Sequence, residues 1–112
     1  MKIPEWSKDQ NSQLGKNIWS VQRLISLTKD FPVMEVPLDH INVYHNYKVS
    51  LREMVMHIQA INNSDLSFPI ILDEDGEIMD GRHRVMKALL LGEKTIKAVR
   101  FDENPSPCKR DE

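Results

Sequence analysis

Cysteine, glycine and aromatic residues are all scarce in this 112-residue chain. Its only cysteine, Cys108, excludes a disulfide within the chain and favours a reducing compartment. No apolar run approaches the roughly 20 residues that a membrane-spanning helix needs, and the first residues lack the apolar segment of a signal peptide. We therefore predict a cytoplasmic protein with no membrane partner.

An excess of positive charge is also missing. The formal net charge is −2 and the isoelectric point is near 6.1, which excludes a surface that coats DNA generally. Any contact with nucleic acid has to come from a local basic patch. The length allows one compact core and no second one.

The first half of the chain predicts two helices separated by a strand. After a polar arm over residues 1–11, apolar residues at helical spacing predict a helix over 12–29. Alternation over 33–38 predicts a strand. Ser50, with Glu53 three residues later, forms a capping box that begins the second helix. We expect this helix to turn five apolar side chains inward: Leu51, Met54, Val55, Ile58 and Ile61.

The second half predicts a hairpin, a helix and a last strand. The apolar run 68–72 and residues 77–80 flank a tight turn, as in a β-hairpin. Residues 85–91 predict a helix, residues 95–101 predict the last strand, and residues 102–112 predict a flexible tail. This order predicts an α+β fold, a small mixed β-sheet with helices packed on it.

The most informative feature is Asp80-Gly81-Arg82-His83-Arg84, hereafter the 80–84 box, between the returning strand and the third helix. The free N–H groups and positive dipole of a helix N-terminus attract anions, and guanidinium groups bind phosphate oxygens in pairs. Cations there oppose the dipole at a cost of about 0.3–1 kcal/mol each, so their presence favours a bound anion. We therefore predict that Gly81, Arg82, His83 and Arg84 bind phosphate, with both guanidinium groups at least partly exposed.

A purely structural interpretation of the same residues is also open. The two arginines can instead form ion pairs with acidic neighbours such as Asp73, Asp75 or Asp80. The Asp80 carboxylate can cap the helix, or it can act as a base that orients His83 or a substrate hydroxyl. Both roles of Asp80 use the same geometry.

Two further groups of residues are candidates for a metal site. His40, His45, His57 and His83 have spacings that match no known pattern of metal ligands. The acidic run 73–75 is typical of a solvated hairpin turn. We therefore predict no metal held by the protein alone.

The order of elements and the 80–84 box together resemble the ParB N-terminal domain and sulfiredoxin superfamily. Gly81, Arg84, Ala88 and Gly92 match the box of the partition proteins, and the 80–84 box is closer still to the Asp-Gly-His-His-Arg of the ParB-like free-serine kinases. Sulfiredoxins have Gly-Cys-His-Arg at the same place. The resemblance covers residues 33–101 as a ParB/sulfiredoxin-like domain, which leaves residues 1–32 as an N-terminal arm and helix.

The cofactor stays open, with a nucleotide and Mg²⁺ as the candidate. The resemblance implies a nucleotide phosphate site. It assigns Lys48 and Ser50, which stand where sulfiredoxins begin the preceding helix, as further phosphate contacts. If the domain is a phosphotransferase or a nuclease, we expect Asp80 and His83 to be its catalytic residues, with Asp80 as the base and His83 passing a proton.

Departures from the family narrow these functions. Arg82 stands where sulfiredoxins have their cysteine, which excludes sulfinic-acid repair. Arg82 also replaces the glutamate of the partition proteins. Two functions stay open: a nucleotide- or phosphate-binding domain, with or without catalysis, and a non-catalytic accessory module that binds DNA or protein in a partition or mobile-element system. The oligomeric state stays open as well.

Overall fold

The computed structural model describes residues 10–43 and 48–110. Most of the predicted arm over 1–11, and His45 of the histidine set, lie outside these residues. In chain order the elements are β1 (Asn11–Leu14), β2 (Asn17–Ser20), α1 (Val21–Thr28), β3 (Met34–Pro37), a 3₁₀ turn (Leu38–His40), α2 (Leu51–Asn62), β4 (Ile70–Leu72), β5 (Ile78–Asp80), α3 (Arg82–Leu90), β6 (Thr95–Arg100) and β7 (Lys109–Arg110). The predicted α+β class is confirmed.

A mixed four-stranded sheet in the order β3-β6-β4-β5 forms the centre of the fold. β4 pairs in parallel with β6, and the other two pairings are antiparallel. The predicted hairpin is present as β4 and β5, and its turn is held by Asp73, whose buried carboxylate accepts the N–H groups of Asp75 and Glu77. Asp73 is therefore a buried structural residue, whereas Glu74 and Asp75 are exposed, as predicted for a solvated turn.

Both faces of this sheet are covered, because its apolar side chains alternate between two clusters. One face packs against α3, the 3₁₀ turn and Ile41. The opposite face packs against α1 and Trp19 of β2, which is 2% exposed. The N-terminal region is therefore an integral part of the core.

The predicted helix over 12–29 is wrong in its first half. Residues 11–20 instead form an antiparallel hairpin, which also pairs through β2 with β7. Helix α1 begins only after Ser20, whose hydroxyl accepts the N–H of Arg23 at 3.3 Å. The residues between 10 and 17 include Asn, Ser and Gly, which are unfavourable inside a helix, so the helical spacing of Leu14 and Ile18 is misleading.

Part of the predicted tail contacts this hairpin. The indole N–H of Trp19 donates to the Pro105 carbonyl at 2.9 Å, and the Cys108 N–H donates to the Ile18 carbonyl at 2.8 Å. These bonds hold the segment that leads to β7 along β2.

Helix α2 begins where predicted, and the Ser50 hydroxyl accepts the Glu53 N–H at 3.1 Å. The predicted inward face is wrong, since no residue of α2 is buried. The sheet face that α2 would cover is already filled by α3, so α2 packs against the side of α3 instead. Leu51, Val55 and Ile58 of α2 remain at least half exposed.

None of the helices among the described residues has the length and apolarity to cross a membrane. The longest of them, α2, has 12 residues.

Packing of α1 on the sheet predicts a sharp contrast between two leucines of that helix. Leu24 is fully buried, whereas Leu27 is 42% exposed. Leu24→Ala should lower the free energy of unfolding by about 2–5 kcal/mol, because it leaves a cavity in the core. Urea unfolding measures this, with Leu27→Ala as the matched control that should cost less than about 1 kcal/mol. Equal effects of the two substitutions would contradict the placement of α1.

Candidate functional site

The 80–84 box forms the turn from β5 into α3, as the sequence predicts. Gly81 is the N-cap residue of α3 and has a φ of 109°, in the left-handed region that favours glycine. A Cβ atom at this position would lie 2.5 Å from Cγ2 of Ile70 in β4. Gly81 is therefore required for close packing of the turn against the sheet, in addition to any approach of a ligand.

Arg84 does not have the exposure that the sequence predicts, because only 7% of its surface is accessible. Its guanidinium donates from Nη1 to the carbonyls of Phe68 and Pro69, at 3.2 and 2.8 Å. Its Nη2 donates to Oδ2 of Asp80 at 2.6 Å in a buried ion pair. The structural interpretation of this arginine is therefore realised, with Asp80 as its acidic partner.

A cleft of about 490 Å³ opens above this turn. One wall is the polar edge of the N-terminal hairpin, from Gln10 to Gln13, and another is the C-terminal end of α2 with the loop that follows it. The whole 80–84 box lines the cleft. A volume of this size lies within the range of about 300–1,000 Å³ that small-molecule sites occupy.

The cleft brings together the two side chains of the box, those of Arg82 and His83, that take no part in the ion pair. Arg82 is exposed at the first position of α3. His83 is partly buried, and its Nε2 atom lies 2.9 Å from Nδ1 of His57 in α2. Burial and the neighbouring His57 both lower the pKa of His83, so its ring is neutral near pH 7.

One carboxylate that lines the cleft acts against anions. Hydrogen bonds from the side chain and the backbone N–H of Ser67 lower the pKa of Asp65. Asp65 therefore stays ionised at neutral pH, and it lines the same cleft as Arg82. The negative charge of Asp65 therefore opposes the positive charge of Arg82 in the cleft.

Lys48 and Ser50 are not among the residues that line the cleft. They precede α2, whereas the cleft is lined by Ala60, Asn63 and Ser64 at the other end of that helix. Ser50 is the N-cap of α2. Their assignment as phosphate contacts stays a prediction.

The histidine set divides in the structure. His57 and His83 contact each other, whereas His40 is exposed in the 3₁₀ turn. Within residues 10–43 and 48–110, no three His, Cys, Asp or Glu side chains come close enough to hold a metal ion.

Sequence reasoning missed two parts of the site. The hairpin edge was hidden by the incorrect helix prediction over 12–29. The contact of His57 with His83 joins residues 26 positions apart on different helices, and no periodicity signals such a pair. The C-terminal end of α2 is fixed nearby, since Nζ of Lys87 donates to the carbonyls of Asn62 and Ser64.

The tight turn predicts that Gly81 tolerates no side chain. Gly81→Ala should lower the free energy of unfolding by about 2–4 kcal/mol, from left-handed strain together with the clash against Ile70. Gly92→Ala is the matched control, because Gly92 has a φ of 74° but open space around its Cβ position. It should cost only the strain, about 1–2 kcal/mol by urea unfolding. An equal loss in the two variants would show that Ile70 does not restrict the turn.

No protein-family model matches the chain, and a search of curated proteins gives no match either. The resemblance to the ParB and sulfiredoxin superfamily therefore rests on the 80–84 box and the order of the elements around it.

Proposed function

We propose that this chain is a ParB/sulfiredoxin-like domain that binds a nucleotide or another phosphate-bearing ligand in the cleft. The observation that carries the proposal is the position of that cleft, at the N-terminus of α3 with an exposed arginine and a half-buried histidine in its first turn. Helix α3 begins with cations and has no acidic residue in its first turn, so no negative side chain there balances the positive end of its dipole. A bound anion would supply that negative charge.

The backbone of the first turn adds donors. The first hydrogen bond within α3 runs from the Val85 N–H to the Gly81 carbonyl at 3.0 Å. The N–H groups of Arg82 and His83, which precede it, have no acceptor within the helix. An oxyanion above the turn would satisfy them.

The two arginines of the box have different roles. Arg84 is neutralised by Asp80 and holds the turn in place, so it shapes the site. Arg82 is exposed and is the guanidinium that can bind phosphate oxygens directly. His83 adds a donor from one side of the cleft.

Catalysis is the less supported part of the proposal. Oδ2 of Asp80 is engaged by Arg84, which leaves His83 as the better candidate for moving a proton. A phosphotransferase or nuclease would further need Mg²⁺ brought by the nucleotide, since phosphoryl transfer depends on such charge neutralisation. Binding alone needs none of this.

The proposal predicts a specific role for Arg82. Arg82→Ala should weaken binding of inorganic pyrophosphate by about tenfold or more, because a charge-assisted hydrogen bond to phosphate is lost. Arg82→Lys should restore only part of the affinity, since an ammonium group lacks the planar fork. Isothermal titration calorimetry at low salt measures the pyrophosphate affinity of the wild type and of both variants.

Lys97→Ala is the control for net charge, because Lys97 is exposed on β6 and does not line the cleft. It should bind pyrophosphate as the wild type does. Unchanged affinity in a folded Arg82→Ala protein would overturn the assignment of the cleft as a phosphate site.

A second function, protein binding by a non-catalytic module, is favoured by the exposed face of α2. Leu51, Met54, Val55 and Ile58 lie at helical spacing along one side of this helix and are 46–82% exposed. Large apolar side chains grouped in this way are typical of interaction surfaces. This surface does not overlap the residues that line the cleft.

The exposed face predicts self-association or association with a protein partner. A second copy is the simplest occupant to test, by multi-angle light scattering over a range of concentrations. If α2 pairs with itself, Val55→Glu should convert a dimer to a monomer without loss of folded structure, whereas Arg52→Glu at the helix start should have a smaller effect. A wild type that stays monomeric at all concentrations would leave no support for self-association.

A further inference from the structure

The contact between His57 and His83 limits the protons that this pair can carry. Their rings are 5.2 Å apart between centroids and are inclined by 35°, with Nδ1 of His57 2.9 Å from Nε2 of His83. One hydrogen atom is shared across this contact, so one nitrogen donates and the other accepts. Two imidazolium rings cannot form the bond, because both nitrogens would then carry a hydrogen.

The two rings stand in different relations to the cleft. His83 lines it, whereas His57 does not. The bond to His57 engages Nε2 of His83 and leaves Nδ1 as the ring atom that can donate to a ligand. His57 therefore contacts His83 outside the cleft lining and can hold the orientation of its ring.

Other charged groups on the packed elements surround the pair. Asp80 and Arg84, at the base of the turn, neutralise each other. Lys87, one turn beyond His83, is bonded to the carbonyls at the end of α2. The remaining charges on these elements and the adjoining loop are Arg52 and Glu53 on α2, Arg82 and Asp65.

We propose that His57 is a positioning residue that couples anion binding in the cleft to the uptake of one proton by His83. In the empty cleft the His83 ring is neutral. When a phosphate-bearing ligand enters, His83 takes a proton from the solvent and becomes an imidazolium that donates Nε2–H to His57 and Nδ1–H to the ligand. The proton returns to the solvent when the ligand leaves. This inference rests on the proposed phosphate-binding function.

Proton uptake by His83 makes the affinity for an anion depend on pH. A negative ligand stabilises the charged form of His83, so the bound protein holds a proton that the empty protein lacks at neutral pH. By linkage, affinity rises as pH falls from 8 to 5.5. Without His57 the Nε2–H of the imidazolium would lose its acceptor in a partly buried position, and the gain would be smaller.

Sulfate is the probe for proton uptake, because it stays a dianion throughout this pH range while phosphate and pyrophosphate titrate. Ring resonances of the histidines, followed by NMR with and without sulfate, report the pKa of His83 directly. In the wild type we expect sulfate to raise the pKa of His83 by about one unit, which corresponds to about tenfold tighter binding at pH 5.5 than at pH 8.

Variants of His57 distinguish a positioning role from a structural one. His57→Leu removes the acceptor and should reduce the pH dependence, while His57→Gln keeps an oxygen acceptor and should retain more of it. His40→Leu is the control for loss of a histidine, since His40 is exposed and does not line the cleft. It should match the wild type.

The outcomes separate this inference from the proposed function. If sulfate and pyrophosphate bind the wild type but the pKa of His83 does not rise, the proton coupling is wrong and the phosphate site stands. The coupling is equally wrong if folded His57→Leu keeps the full pH dependence. If neither anion binds at any pH, the proposed function fails and the coupling fails with it. Should His57→Leu not fold, the wild-type titration still decides the question.

Discussion

The geometry of the site depends on the hydrogen bonds of the Arg84 guanidinium. This guanidinium joins the segment before β4, through the carbonyls of Phe68 and Pro69, to the end of β5, through the carboxylate of Asp80. These three bonds fix the start of α3 relative to the sheet. A buried ion pair of this kind contributes little net stability, but removing one partner leaves an unpaired buried charge and costs several kcal/mol. Its contribution is therefore to define one geometry for the turn.

Because Arg84 and Asp80 form an ion pair with each other, the side chains of the box that can contact a ligand are those of Arg82 and His83. Arg82 carries the exposed positive charge, and His83 is held by His57 of the neighbouring helix. The N-terminal hairpin closes the remaining wall with polar side chains. The site is thus assembled from the sheet, two helices and a hairpin, through stretches that are far apart in the sequence.

The sequence predicted the part of the fold whose signals are local. The hairpin β4–β5, the helix α3 with Gly92 beyond its end, and the strand β6 each follow from a short pattern with its own turn residue. The helix over 12–29 failed because four apolar residues at helical spacing outweighed the polar residues between them. The inward face of α2 failed for a different reason: amphipathic spacing shows which side of a helix is apolar, but not whether the sheet has room for it.

The same limit applies to the site. The sequence correctly identifies the 80–84 box as the turn into α3, but composition cannot show which of its two arginines is buried. That depends on the carbonyls of Phe68 and Pro69, which precede the box by more than ten residues and are brought to it by the pairing of β4 with β5. Likewise, the sequence suggests only a metal-ligand role for His57, because its contact with His83 arises from the packing of α2 on α3.

Anion binding at the first turn of α3 is the claim on which the proposed function depends, and amide chemical shifts report it residue by residue. When the ¹⁵N-labelled protein is titrated with inorganic pyrophosphate, saturable shifts should be largest for the amides of Gly81, Arg82 and His83. Helix α1 offers an internal comparison, because its N-terminus is already capped by the Ser20 hydroxyl. Shifts centred on Arg23, which does not line the cleft, or no saturable shift at the start of α3, would contradict the claim.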